Sequence, residues 1–181
     1  MVLSLTVTEL IAEIPNLKAG DRLLLSGAVY TARDAAHQRL AEMIENNKPL
    51  PLKLQNSIIY YCGPAPARPG DVTGPCGPTT SSRMDTFTPL LLSLGVKATI
   101  GKGPRSKRVR EALREHGAVY LAATGGVAAL LSRKVRRVEL VAFGDLGPEA
   151  IYRFEIIEFP LIVACDAHGN DIFDARRGGA V

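Results

Sequence analysis

Apolar and polar positions change period in short blocks along this chain, and each period predicts an element. Leu5 and Val7 alternate with Ser4 and Thr6, which predicts a short strand over 4–8, then one helical turn from Glu9 to Ile14 ahead of Pro15. After a turn at Ala19-Gly20-Asp21, the stretch from Arg22 to Tyr30 is apolar and β-leaning and reads as a buried strand. A helix follows, with Thr31 as its cap and Asp34 three residues on, an acidic variant of the capping box. Ala36, Leu40, Met43 and Ile44 share one face of that helix, which ends near Asn46-Asn47. Ser57 to Cys62 is a strand that feeds a Gly/Pro-rich loop from Gly63 to Pro78. A loop of that length in a compact domain reads as functional or partner-facing.

The second half continues the alternation. Thr79 or Ser81 is the candidate N-cap of a helix from about Pro78 to Leu94, ended by Gly95. Val96 to Ile100 is a strand, Gly101-Lys102-Gly103 a turn, and Pro104 the first position of a helix that runs to His116-Gly117. Val109, Ala112 and Leu113 form its inner face. Ala118 to Ala122 is a strand, and Thr124-Gly125-Gly126 opens a short helix to Ser132. The second half of 133–143 is a strand, and 146–150 is a turn with a short helical start. Ile151 to Phe159 and Leu161 to Cys165 are strands broken by Pro160, and about 172–181 is a frayed tail. The order predicts an α/β or mixed α+β fold, as a single domain over 1–181.

Composition narrows the function. With 46% apolar and 22% charged residues the chain is an ordinary globular one. No apolar run approaches the roughly 20 residues that span a bilayer. Met1 to Thr6 has neither a basic leader nor a long apolar centre, so the expected location is cytoplasmic, with no membrane partner. Cys62, Cys76 and Cys165 are too widely spaced for a disulfide framework or a zinc site, and reduced buried thiols are expected. Three cysteines could in principle hold an iron–sulfur cluster with one open iron. The net charge of +4 and pI of about 9.1 raise the question of nucleic acid. Two basic groups bear on it: Lys102, Arg105, Lys107, Arg108, Arg110 and Arg114, then Arg133, Lys134, Arg136 and Arg137. Against it stand the absence of Trp, aromatics that do not interleave with the basic runs, and no binding motif.

The chemistry concentrates in Gly74-Pro75-Cys76-Gly77-Pro78-Thr79-Thr80-Ser81-Ser82-Arg83-Met84-Asp85-Thr86. In a helix begun at Pro78 or Thr79, Thr79 and Arg83 sit one turn apart, with Thr80 beside them. Hydroxyls, free helix N–H groups and a guanidinium make a receptor for carboxylate or phosphate. An ordinary capped helix after a Pro-rich loop has the same sequence. Arg33, Asp34 and His37 open another helix directly after a buried strand, where α/β proteins place sites. Lys102 sits in a glycine-flanked turn that lets a backbone approach a ligand.

Gly77-Pro78-Thr79-Thr80-Ser81 with Arg83-Met84-Asp85 resembles the signature of the C-terminal domain, or β subunit, of class I fumarate hydratases and L-tartrate dehydratases. Gly20-Asp21, Leu25-Ser26-Gly27, Arg33-Asp34-Ala35-Ala36-His37, Gly101-Lys102-Gly103 and Asp166-Ala167-His168-Gly169-Asn170 agree in order and spacing. The resemblance covers nearly the whole chain and implies a swivelling β/β/α domain. It implies that Arg33, Thr80, Arg83 and Lys102 bind a C4-dicarboxylate and that Thr79 transfers a proton. Asp34, His37 and His168 are then supporting or structural, and no metal ligand lies in this chain. It also implies half an active site. A partner α subunit carries a four-iron four-sulfur cluster, in a heterodimer or heterotetramer that hydrates fumarate to (S)-malate or dehydrates tartrate to oxaloacetate. A purely structural partner subunit is the contrasting reading.

Overall fold

Apolar strands that alternate between two faces need a core on each side, and the chain supplies both. The structure, a computed structural model, describes residues 1–123 and 127–174. Strand β1 (Val2–Thr6) leads into α1 (Val7–Glu13), whose start is fixed by a capping box between Thr6 and Glu9. Then come β2 (Arg22–Thr31), α2 (Asp34–Glu45) and β3 (Ile58–Tyr60). A 3₁₀ turn (Ser81–Met84) and α3 (Thr88–Ser93) precede β4 (Ala98–Gly101), α4 (Lys107–Glu115) and β5 (Val119–Ala122). The chain closes with α5 (Ala128–Ser132), β6 (Val135–Ala142), a 3₁₀ segment (Gly144–Glu149) and β7 (Ile151–Cys165).

Strands β1 to β5 run parallel, and β7 runs against both β2 and β5. The order β2-β3-β4-β5-β7 therefore returns to β2 and forms a five-strand closed ring. β1 extends it beside the first half of β2, and β6 beside the first half of β7. Closure satisfies strand edges that would otherwise recruit other chains. One set of alternating side chains, including Leu25, Val29, Tyr60, Ile100, Leu121 and Phe154, packs with Leu10 of α1. The other set, including Ile59, Tyr61 and Tyr120, packs with Leu40 of α2, Leu91 of α3 and Val109 of α4. The mixed α/β architecture matches the expectation, and no described helix is long and apolar enough to cross a membrane.

Several local readings change. Thr31 does not cap α2: it is the last residue of β2, is fully buried, and its Oγ1 accepts the Tyr152 N–H at 3.1 Å. Arg33 stands at the N-cap without a side-chain cap bond, and no capping box forms with Asp34. The helix expected over 78–94 is split. Thr79 N–H is taken by Tyr61 O at 2.6 Å and Thr79 O accepts from Lys102 N at 3.3 Å, so Thr79 is held by the strand ends instead. Pro89, which lacks an N–H, falls in the first turn of α3, where none is needed. Ser106, not Pro104, begins α4, and its hydroxyl accepts from Val109 N. Pro160 does not break β7. It lies after the stretch paired with β6 and before the stretch paired with β5, where one strand edge is free. The sequence at 124–126, expected to open α5, lies outside the described residues, as does 175–181. Residues 172–174 are tied down: Ile172 N–H donates to Ala164 O at 3.0 Å, and Asp174 meets Arg110 at 2.7 Å.

Strand directions sort the loops into two rims. The rim that receives the ends of β2 to β5 and the start of β7 carries Arg33, 63–85, Lys102 and Glu149. The opposite rim is pinned by Asp166, which accepts from the N–H groups of Ala19, His168 and Asn170 and from the Asn170 amide at 2.8–3.1 Å. His168 is part of this turn, its Nε2 2.9 Å from Pro15 O. Burial raises the Asp166 pKa, but these donors outweigh it and hold the group below the ordinary carboxylate range. Replacement by alanine leaves buried donors unpaired and is expected to cost about 2–3 kcal/mol in urea unfolding. A depressed carboxyl stabilises the fold fully above its unfolded pKa of about 3.9 and loses that contribution as pH falls through the folded value. Asp166→Asn is expected to remove this acid-side slope, measured as unfolding free energy against pH.

Candidate functional site

The chain's parallel strands end at one rim, and backbone pairing continues past them. Thr80 bridges Lys102, and Ser81 N–H donates to Lys102 O at 2.9 Å, so 79–81 lies along the end of β4. This approach is possible because residue 101 is glycine: a Cβ there would stand 2.0 Å from Ser81 Oγ. Ser81 is buried and its hydroxyl lies 2.9 Å from the Tyr120 hydroxyl. Tyr120 donates its proton to Gly103 O at 2.8 Å, so Ser81 is the donor to Tyr120. Thr79 is thereby held half-buried, with Thr80 and Lys102 exposed beside it.

A string of alternating charges runs beside this segment. Arg83 grips Asp34 at two points, Nε to Oδ1 at 3.0 Å and Nη2 to Oδ2 at 2.9 Å. Arg33 Nη2 lies 3.7 Å from Asp34 Oδ2 and 3.4 Å from Glu149 Oε1. Glu149 Oε2 also accepts the Ala35 N–H in the first turn of α2. Asp34, placed by sequence as a support, is thus the carboxylate between both arginines. His37 is 1% exposed, and its Nδ1 lies 2.8 Å from Arg33 O. A carbonyl only accepts, so Nδ1 carries the proton. Its ring meets Tyr61 edge-on and tilts against Phe87, and its Nε2 is buried without a partner. Burial lowers its pKa to about 4, so the ring is neutral at pH 7 and supports the Arg33 backbone. His168, on the far rim, takes no part.

Beneath the rim lies a group that pattern reasoning assigned to a basic surface patch. Arg105 is 2% exposed. Its Nε donates to Asp85 Oδ1 at 2.7 Å, Nη1 to Thr99 and Nη2 to the hydroxyls of Tyr61 and Thr88. The rings of Tyr61 and Tyr120 lie 5.2 and 4.9 Å from its guanidinium carbon. Asp85 Oδ2 accepts the Ser106 N–H, so one carboxylate joins the end of the 79–85 segment to the start of α4. Much of the remaining basic surface is paired: Arg110 with Asp174, Lys107 with Glu111, Lys134 with Glu158, Arg137 with Glu139.

The thiols do not fit an iron–sulfur cluster. Cys62 and Cys76 are buried in one core against each other, and Cys165 is buried in the other core beside Asp171. Among the described residues no three His, Cys, Asp or Glu side chains are grouped to hold a metal ion. The arrangement is two arginines paired with carboxylates, with exposed Thr80 and Lys102 and half-buried Thr79 on the same rim. Glu149, Gly63 and Arg105 were missed because their partners are distant in sequence.

A family model described as "Fumarase C-terminus" matches residues 2–176. The chain is 45% identical over 168 residues to the "Putative L(+)-tartrate dehydratase subunit beta" of Methanocaldococcus jannaschii, covering 90% of this chain and 86% of that protein. It is 40% identical over 163 residues to "Fumarate hydratase 2" of Leishmania major, covering 89% of this chain. It is also 40% identical over 167 residues to "Fumarate hydratase class I, anaerobic" of Escherichia coli, covering 91% of this chain. The chain spans only 29% and 30% of the length of these two fumarate hydratases.

Two outcomes follow from the buried groups. Arg105→Met leaves Asp85 without its cation and is expected to destabilise the chain by about 3–5 kcal/mol in chemical denaturation. For His37, the unfolded chain binds a proton below about pH 6.5, whereas the folded ring resists it down to about 4. Stability therefore falls on acidification through that window, by up to roughly 1.4 kcal/mol per pH unit. His37→Gln is expected to flatten the unfolding free energy between those pH values.

Proposed function

We propose that this chain, which belongs to the Fumarase C-terminus family, is the β subunit of a two-subunit hydro-lyase that adds water to fumarate to give (S)-malate. The observation that carries the reading is the gathering of Arg33, Arg83, Thr79, Thr80 and Lys102 on one rim. A dehydratase of β subunit type with tartrate as substrate is the second reading. It is favoured by the 45% identity to a protein of that name whose length this chain nearly matches.

Two carboxylates of a C4 acid need cations at separated points. A guanidinium presents parallel donors that match a carboxylate, and Lys102 adds a compact charge. Arg83 is half exposed and its fork holds Asp34, so an incoming carboxylate shares or replaces that contact. Thr79 would move the proton at the carbon beside a carboxylate. A threonine hydroxyl has a very high pKa, so its proton leaves only where nearby cations stabilise the alkoxide. The four-iron four-sulfur cluster that this reading requires is assigned to a partner α subunit; here Cys62 and Cys76 lie in one core and Cys165 in the other. A cytoplasmic heterodimer or heterotetramer accompanies the assignment.

The test is anaerobic co-expression with a fumarase-type α subunit, followed by loss of fumarate absorbance, with tartrate assayed in parallel. Activity is expected in the complex and not in this chain alone. Thr79→Ala is expected to lower kcat by about 100-fold or more with assembly intact. Arg83→Met is expected to lower kcat/KM by roughly 10- to 100-fold. Full activity in both variants would overturn the half-site reading and leave a structural subunit.

A further inference from the structure

We infer that Glu149, working with Gly63, sets the direction of the Arg33 guanidinium and is a positioning residue for the substrate carboxylate; the inference rests on the function proposed above. Arg33 lies across Gly63. A Cβ at residue 63 would stand 2.9 Å from Arg33 Cδ, 3.1 Å from its Nη1 and 3.2 Å from Pro148 O. The side chain thus passes through a gap that only glycine leaves open, bounded by the backbone that leads into Glu149. Within that gap Glu149 does two things at once. Oε1 faces Arg33 Nη2 at 3.4 Å, and Oε2 takes the Ala35 N–H at 3.3 Å. The carboxylate therefore fixes the guanidinium relative to the first turn of the helix that carries it.

The 3₁₀ segment that presents Glu149 is itself tied to α2. Arg39 grips Asp145 at two points, 2.8 and 2.5 Å, and Tyr152 donates to Gly147 O at 2.9 Å. Glu149 is thus delivered by a braced segment and not by a free loop. The nearest alternative carboxylate for Arg33 is Asp34 at 3.7 Å, and Asp34 is already gripped by Arg83. Loss of the Glu149 charge frees Arg33 to swing toward Asp34 and compete with Arg83 for it. One substitution at the end of the string then disturbs both cations. Arg33 Nε is buried without a partner.

The experiment uses the assembled two-subunit enzyme. Glu149→Gln keeps an acceptor for the Ala35 N–H and the side-chain shape, and removes only the charge. It is expected to raise KM for the dicarboxylate by about 10-fold, to change kcat by less than about 3-fold, and to leave the unfolding midpoint of the isolated chain in place. Arg33→Met raises KM on its own. In that background Glu149→Gln is expected to add nothing, because its effect passes through Arg33. Gly63→Ala, which crowds the same guanidinium, is expected to raise KM in the same way and to show the same lack of additivity. Unchanged KM in both Glu149→Gln and Gly63→Ala, or effects that add in full to Arg33→Met, would overturn the inference. A wild-type KM in Arg33→Met would instead overturn the assignment of Arg33 to the substrate site, and this inference with it.

Discussion

Arg105 brings a full positive charge into a region almost closed to water, and the structure neutralises it where it stands. Burial alone disfavours the cation; Tyr61 and Asp85 more than offset this and hold its pKa above the ordinary value. The groups that surround it come from β4, β5, α3, the residue after β3 and the segment before α3. A buried ion is stable only with close partners in good geometry, so these elements cannot drift apart without exposing it. The rim that carries Thr79, Arg83 and Lys102 is built over this fixed point.

Above it the charges are arranged differently. The string from Glu149 through Arg33 and Asp34 to Arg83 is partly exposed, and its members alternate in sign. The outer contact, from half-exposed Arg83 to Asp34, is of the kind that is weak at a surface and can exchange for a ligand at little cost. Rigid support below and an exchangeable pair above are compatible with the two-subunit site proposed above.

Much of this was legible in the chain itself. The apolar run from Arg22 to Tyr30 read as a buried strand, and Val109, Ala112 and Leu113 are the buried positions of α4. The motif that groups Thr79, Thr80 and Arg83 marked the candidate segment. What sequence misread was every place where a distant backbone won a local group. Thr31 looked like a cap until β7 took its hydroxyl through Tyr152. Residues 79–80 looked helical until Tyr61 and Lys102 took their backbone groups. Arg105 looked like one more surface cation in a basic run, since nothing local announces that Asp85 and two tyrosines will enclose it. Periodicity reports which face is buried; it does not report which partner arrives.

The strand that closes the ring comes last among the described strands. β2 is made well before its long partner β7, which comes only at 151–165. At ordinary elongation rates that gap is on the order of ten seconds. Throughout it the nascent chain carries an unpaired apolar strand edge, the kind of surface that templates aggregation. Loss of that stickiness therefore waits for β7, and a chain truncated before it would keep the edge of β2 open.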